Sequence, residues 1–309
     1  MGWFSKERKE PGWVVIGADD GQVSVVHGIV SAAGRPEIRQ YAVGEPDAAG
    51  LEHMAKEFAL HRYDCATLLK AGDYQLVLVE APNVPQQELK TAIRWRIKDV
   101  LDAHVDDVTL DVLDLPVPKD AAARNHSMYA VAARNEVIQS CIKRFDEANV
   151  PLSVIDIPET AQRNIAALYE DEDRGLAMLH FSEAGGLLTI NYRSELYLAR
   201  RIDITAAQVA ESAPEQRDSV FAQIQLELQR TFDHFERQFS WIALSRLMLG
   251  PEPADSGVGA YLAESLGIPV RQVAMEEVLD LPQEGMGPDL QSKLFYLVGG
   301  ALRRETAVL

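Results

Sequence analysis

Residues 13–26 read WVVIGADDGQVSVV: two apolar runs, Trp13 to Ile16 and Val23 to Val26, separated by Ala18-Asp19-Asp20-Gly21. Val and Ile favour a pleated backbone, and an Asp-Asp-Gly corner supplies the tight reversal that joins antiparallel strands. The stretch therefore predicts a β-hairpin, extended to a three-strand meander by Ile38 to Val43. The theme returns at Leu176 to Phe181, Gly186 to Tyr192 and Leu196 to Ile202. Two such meanders, each followed by helices, predict a two-lobed α/β chain, duplicated in architecture without a residue-level repeat.

Between the meanders, Leu51, Met54, Ala55, Phe58 and Ala59 recur at helical spacing within 51–61, and Leu76 to Glu80 reads as the fourth strand of the first lobe. From Gln86 to about Leu101 a helix places Leu89, Ile93, Ile97, Val100 and Leu101 on one side, with Pro85 near its start. Strands at 108–115 and 128–133 flank the loop PVPKDAAARNH, and 136–148 reads as a helix. This helix-strand-strand-helix block ends at the turn Asn149-Val150-Pro151 and predicts an insert. A strand at 152–157 and a helix at 158–169 return to the first lobe, and the acidic EDEDR at 170–174 marks its boundary. Beyond the second meander, helices are expected at 206–212, 221–241, 260–266 and 290–304, with strands at 244–249 and 268–273. The expected domains are an N-terminal tail at 1–11, a first-lobe core at 12–85 and 151–170, an αββα-like insert at 86–150, and a second lobe at 175–309.

The 309 residues carry 47 acidic against 30 basic side chains, a formal net charge of -17. That balance repels nucleic-acid phosphates and argues against nucleic acid as a partner. Cys65 and Cys141 form no Cys-x-x-Cys pair and read as small buried thiols; no metal site is expected. No apolar run reaches the roughly 20 residues of a membrane span, which predicts a chain that stays in the cytoplasm. Trp3 and Phe4 before Lys6, Arg8 and Lys9 would suit peripheral association with a membrane surface.

Gly17-Ala18-Asp19-Asp20-Gly21 has the Gly-x-Asp-x-Gly spacing of the first phosphate loop of actin-like ATPases. Glycines let backbone amides approach a phosphate, and an aspartate holds water on a bound metal. Further segments extend the likeness: LKTAIRWRIKDVLD at 89–102, DDVTLDVLDLP at 106–116, VIDIPETAQRNIA at 154–166, ELYLARRID at 195–203, LAESLGIPVRQV at 262–273 and VGGALR at 298–303. In these the chain resembles the pilus-assembly proteins of the PilM type, relatives of the division protein FtsA, and among them those of the mannose-sensitive haemagglutinin pilus. The resemblance implies a two-lobed actin-like ATPase (ribonuclease H-like) fold with a small subdomain inserted in the first lobe. It further implies a cytoplasmic scaffold at the inner membrane that binds the PilN-like tail of a bitopic partner and can contact a pilus motor ATPase.

The nucleotide site departs from the family pattern. Where a second Asp-x-Gly loop would open the second lobe, the chain has His180-Phe181-Ser182, and an adenosine-loop Gly-Gly is replaced by Gly250-Pro251-Glu252-Pro253. A neutral histidine cannot order a metal as a carboxylate does, and proline removes an amide donor. Gly17, Asp19 and Gly21 are then a vestigial phosphate loop, with no catalytic residue and no cofactor expected. The alternative is an ATP-binding or slowly hydrolysing relative that uses Asp19 for magnesium. Glu227 and Arg230 fall where relatives touch ribose and base, but they equally suit a solvated helix face. For partner binding, Arg94, Trp95 and Arg96 are the candidates, because Trp and Arg dominate interface hot spots.

Overall fold

The computed structural model describes residues 9–19, 22–30, 34–44, 50–116, 126–210 and 213–304. The chain forms two compact units, one from residues up to 68 together with 151 onward, the other from 69 to 150. The larger unit opens with strands β1 (Trp13–Asp19), β2 (Gln22–Ile29) and β3 (Glu37–Val43), helix α1 (Gly50–Glu57) and strand β4 (Asp64–Leu68). The smaller holds β5 (Tyr74–Glu80), α2 (Gln86–Ile97), β6 (Val108–Asp114), β7 (Ser127–Arg134) and α3 (Asn135–Glu147). The larger unit resumes with β8 (Leu152–Asp156), α4 (Pro158–Ala166), β9 (Gly175–Ser182), β10 (Gly185–Tyr192), β11 (Glu195–Ile202), α5 (Ala206–Ala210) and α6 (Pro214–Gln238). It ends with β12 (Leu244–Leu249), α7 (Val258–Ser265), β13 (Val270–Gln272), α8 (Met275–Val278), α9 (Pro288–Lys293) and α10 (Phe295–Ala301).

The meanders form as their patterns predict. β1 pairs antiparallel with β2 from Trp13 opposite Gly28 to Asp19 opposite Gln22, and β10 joins β9 and β11 in the same manner. Each becomes a five-stranded sheet when two parallel strands add to its first strand, giving the orders β3-β2-β1-β4-β8 and β11-β10-β9-β12-β13. The two orders are the same topology twice, which is the duplication of architecture the sequence suggests. β9 and β10 are buried almost throughout because sheets covered on both faces read as continuous apolar runs.

The fourth strand of the first sheet is Asp64–Leu68, not the expected Leu76–Glu80. The segment DCATL is short, begins with a charge and contains small residues, so it lacks the β-branched signature that YQLVLVE carries. The segment before it ends its helix early: Ala59 takes a left-handed conformation, φ 48°, and a single 3₁₀ turn spans Leu60–Arg62. Leu76–Glu80 instead lies at the edge of a separate antiparallel sheet, β5-β7-β6. The insert therefore starts at Leu69 rather than at residue 86 and gains a strand over the expected αββα. Ile93 and Ile97 of α2 pack on Leu110, Met128, Ala130 and Ala132 to form its core. Of the connecting loop, residues 117–125 lie outside the described residues.

The final helix splits at Leu294 into α9 and α10, and α10 leaves the second lobe to pack on β1, β2, β4 and α4. Two glycines make this possible. A Cβ at Gly299 would fall 2.1 Å from the Ala161 carbonyl oxygen, and one at Gly28 would fall 2.9 Å from the Ala301 Cβ, so only glycine admits these approaches. α4 is buried on nearly every side between α10 and the second sheet. Its Gln162 amide donates to the Met178 carbonyl at 2.8 Å, the Leu187 carbonyl at 3.1 Å and the Thr189 hydroxyl at 3.0 Å. The core shared by the two sheets includes Val15, Val26, Ile165, Met178, Met248, Phe295 and Val298.

Candidate functional site

In open α/β sheets, ligands sit beyond the carboxyl ends of the parallel strands. Here those ends include the β1–β2 turn, the β9–β10 turn and the loop after β12. Gly17 lies on β1 opposite Ser24, and a Cβ there would stand 3.2 Å from the Leu297 Cδ1 of α10. Asp19 closes β1 opposite Gln22; Asp20 and Gly21 lie outside the described residues.

At the second half-site His180 does not face a cleft. It is 2% exposed, its ring centroid is 4.2 Å from Phe295 and 5.2 Å from Tyr296, and its Nδ1 has no hydrogen-bond partner. Burial pushes its pKa down to about 3, against a smaller opposing pull from the Ser292 backbone. At neutral pH the ring is therefore uncharged. Gly250 makes room for it: a Cβ there would lie 2.4 Å from Nδ1. The β9–β10 turn is also occupied by its own bonds. The Ser182 hydroxyl donates to the Gly185 carbonyl at 3.1 Å and accepts from the Ala184 amide at 3.2 Å. Gly185, with φ +108°, is pressed against the Ile202 carbonyl.

The loop after β12 is held by main-chain contacts. The Gly250 amide donates to the Leu179 carbonyl at 2.7 Å, and Gln272 donates to the Gly250 carbonyl at 2.6 Å. Pro251 is buried, and burial raises the pKa of Glu252, which accepts from the Ser256 amide at 3.2 Å. Thus α10 touches both half-sites, Gly17 through Leu297 and His180 through Phe295 and Tyr296. His180, a buried and uncharged imidazole, offers no carboxylate oxygen to a hydrated divalent cation.

Glu227, half-buried on α6, is engaged by Arg200 at 2.7 Å and by Arg230 at 3.5 Å. Glu159 was not visible in the sequence as special. It is a carboxylate only 2% exposed, in the first turn of α4, and it pairs with Arg201 of β11 at 2.8 Å. A cleft of about 530 Å³ lies at the EDEDR boundary, lined by Glu170 to Asp173 and Arg193. Arg193 is committed to Asp173 there, and burial raises the Glu170 carboxyl pKa. Cys65 is buried, its thiol pushed up to about 12 by desolvation, whereas Cys141 is only half-buried, against the expectation of two buried thiols.

On the insert, the three candidate partner residues separate. Arg94 donates to the Val105 carbonyl at 2.6 Å and Arg96 to the Glu80 carbonyl at 2.9 Å, so both guanidinium groups hold backbone. Trp95 points away from the core, 62% exposed, with the Lys98 ammonium 5.8 Å from its ring. Among the described residues, no helix is long and apolar enough to cross a membrane.

No protein-family model matches the chain, and no curated protein matches it. Among solved structures it is similar to a "PilM-PilN type IV pilus biogenesis complex", with 18% identity over 96% of this chain and 98% of that one and a TM-score of 0.71. It is also similar to a Bacteroides thetaiotaomicron protein with an actin-like ATPase fold and unknown function, with 10% identity over 91% and 96% of the two chains and a TM-score of 0.51. With the paired five-stranded sheets and the insert, these likenesses show that the chain has the actin-like ATPase fold.

Proposed function

We propose that this chain is a non-catalytic scaffold of a type IV pilus assembly platform, of the mannose-sensitive haemagglutinin type, the place that MshI holds in that system. It works on the cytoplasmic face of the inner membrane and holds the PilN-like cytoplasmic tail of a bitopic membrane partner. A pilus motor ATPase is a further partner in this reading. The likeness to a chain of a PilM-PilN type IV pilus biogenesis complex, over nearly the whole of both chains, is the observation that carries it. The loss of nucleotide chemistry is supported by His180, which sits neutral and stacked on Phe295 where a metal-ordering carboxylate would be required. Trp95 is the side chain on the insert best placed to anchor a peptide.

Calorimetry of the full chain with synthetic tails of inner-membrane pilus proteins tests the scaffold reading. Binding by one such tail, weakened by Trp95→Ala, is expected; no binding by any tail sinks it. A thermal-shift series with millimolar ATP and magnesium tests the pseudo-ATPase part separately. No rise in Tm is expected, and a rise abolished by Asp19→Ala would establish the nucleotide-binding alternative.

A further inference from the structure

Among the described residues, the insert has one sheet edge whose middle carries no charge, its acidic side chains, Asp73 and Glu80, standing only at the ends. β5 and β6 are the two edge strands of the β5-β7-β6 sheet. β6 is punctuated by Asp111 and Asp114, and Asp111 pairs with Lys90 at 2.7 Å. Inward or flanking charges of this kind discourage edge-to-edge pairing. β5 has no charged residue from Tyr74 to Val79, and its Leu78 is 40% exposed.

Register decides which main-chain groups face outward. Beyond the end of β5, the Ala81 amide donates to the His126 carbonyl at 2.7 Å, continuing the register in which Val79 faces Met128 and Val77 faces Ala130. Antiparallel pairs alternate, so Gln75, Val77 and Val79 bond inward to β7 while Tyr74, Leu76, Leu78 and Glu80 turn their N–H and C=O groups to the edge. Arg96 already caps the Glu80 carbonyl. Among the described residues, the edge groups of Leu76 and Leu78 have no such cap.

We infer that β5 is a self-pairing edge, and that two copies of this chain join antiparallel through it, with the two-fold axis passing between the two Val77 residues. In that register Leu76 of one copy faces Leu78 of the other, each pair exchanging both N–H···O bonds, so the unused groups of both residues are consumed. The exposed Leu78 side chain then lies against Leu76 of the second copy, on the same sheet face. At both ends Glu80 comes beside the other copy's Asp73, and the Arg96 guanidinium offsets this acidic pair. Arg96 stands beside Glu80, which faces Tyr74 of the other copy, and this brings its guanidinium within one residue of that copy's Asp73. The contact is a single strand pair, below the size of a standard stable interface, so the dimer forms and dissociates with concentration.

Sedimentation velocity of the full chain across a range of concentrations reads the equilibrium. A monomer–dimer transition is expected, and Leu78→Lys should raise the dissociation constant at least about tenfold while leaving Tm near wild type. A second variant guards against misfolding of the first. Val77→Cys, made with Cys141→Ser, places two thiols across a non-hydrogen-bonded antiparallel pair, where Cβ atoms are about 4.5–5.5 Å apart. Mild oxidation should give a covalent dimer, whereas Leu226→Cys on α6 in the same background should not. A chain that stays monomeric and gives no Val77→Cys dimer overturns the inference. So does a dimer untouched by Leu78→Lys, or an edge that takes up a partner peptide but never a second copy.

Discussion

Gly250 lies against His180 so closely that a Cβ on the glycine would stand 2.4 Å from the imidazole Nδ1 and 2.7 Å from the histidine Cβ. The histidine cannot easily give way, since Phe295 and Tyr296 hold its ring from the other side. Gly250→Ala is therefore expected to cost about 1–3 kcal/mol by overpacking. Chemical denaturation measures this, and His180→Ala in the same chain, which removes the ring but leaves a Cβ 2.7 Å from the new methyl, should recover only part of the loss. An additive double mutant would mean the two residues are not in contact.

His180 also makes stability depend on pH. Its pKa is about 6.5 unfolded and about 3 folded. Below pH 6.5 the unfolded chain binds a proton that the folded chain refuses, so the neutral ring's contribution is lost as pH falls. From pH 6.5 to 5 the wild type should lose up to about 2 kcal/mol through this residue. His180→Phe removes the titrating group, and denaturation curves across that window should show a shallower slope. Equal slopes would contradict the burial of a neutral histidine. His27, whose pKa is also lowered by burial, remains in both chains and cancels in the comparison.

The three neighbouring residues on α2 should behave differently. Arg94→Ala is expected to cost about 1 kcal/mol or more of stability, because it leaves the Val105 carbonyl without its donor. Trp95→Ala, which removes a largely exposed ring, should change stability by no more than about 0.5 kcal/mol. Thermal and chemical denaturation separate the two, and a strongly destabilising Trp95→Ala would make the ring a structural residue.

Gly299 permits the contact between α4 and α10. Gly299→Ala sets a methyl 2.1 Å from the Ala161 carbonyl oxygen, and backbone on backbone cannot rotate away. A loss of more than about 3 kcal/mol, or failure to fold, is expected. Circular dichroism and denaturation of the purified variant decide it, and a variant as stable as the parent would refute the close helix packing.

The meanders were legible because their information is local: β-branched runs and an Asp-Asp-Gly corner name the hairpin without reference to the rest of the chain. β4 was not, since its residues Asp64, Cys65 and Ala66 carry little strand preference and are held extended by β1 on one side and β8 on the other. The same logic misassigned Leu76–Glu80, whose strong strand pattern says nothing about which sheet receives it. At the candidate site, the change to His180 could be read directly. What it packs against could not, because Phe295 and Tyr296 arrive from far along the chain. The Gly299-Gly300 pair was the available signal, since adjacent glycines inside a helix mark a close approach.

The position of α10 has a consequence for how the protein is made. The helix that covers β1, β2 and β4 is synthesised long after the strands it covers. Until synthesis reaches residue 301, those strands have an open apolar side. The nascent first lobe therefore waits, incomplete and in need of shelter, for a helix encoded far downstream of it.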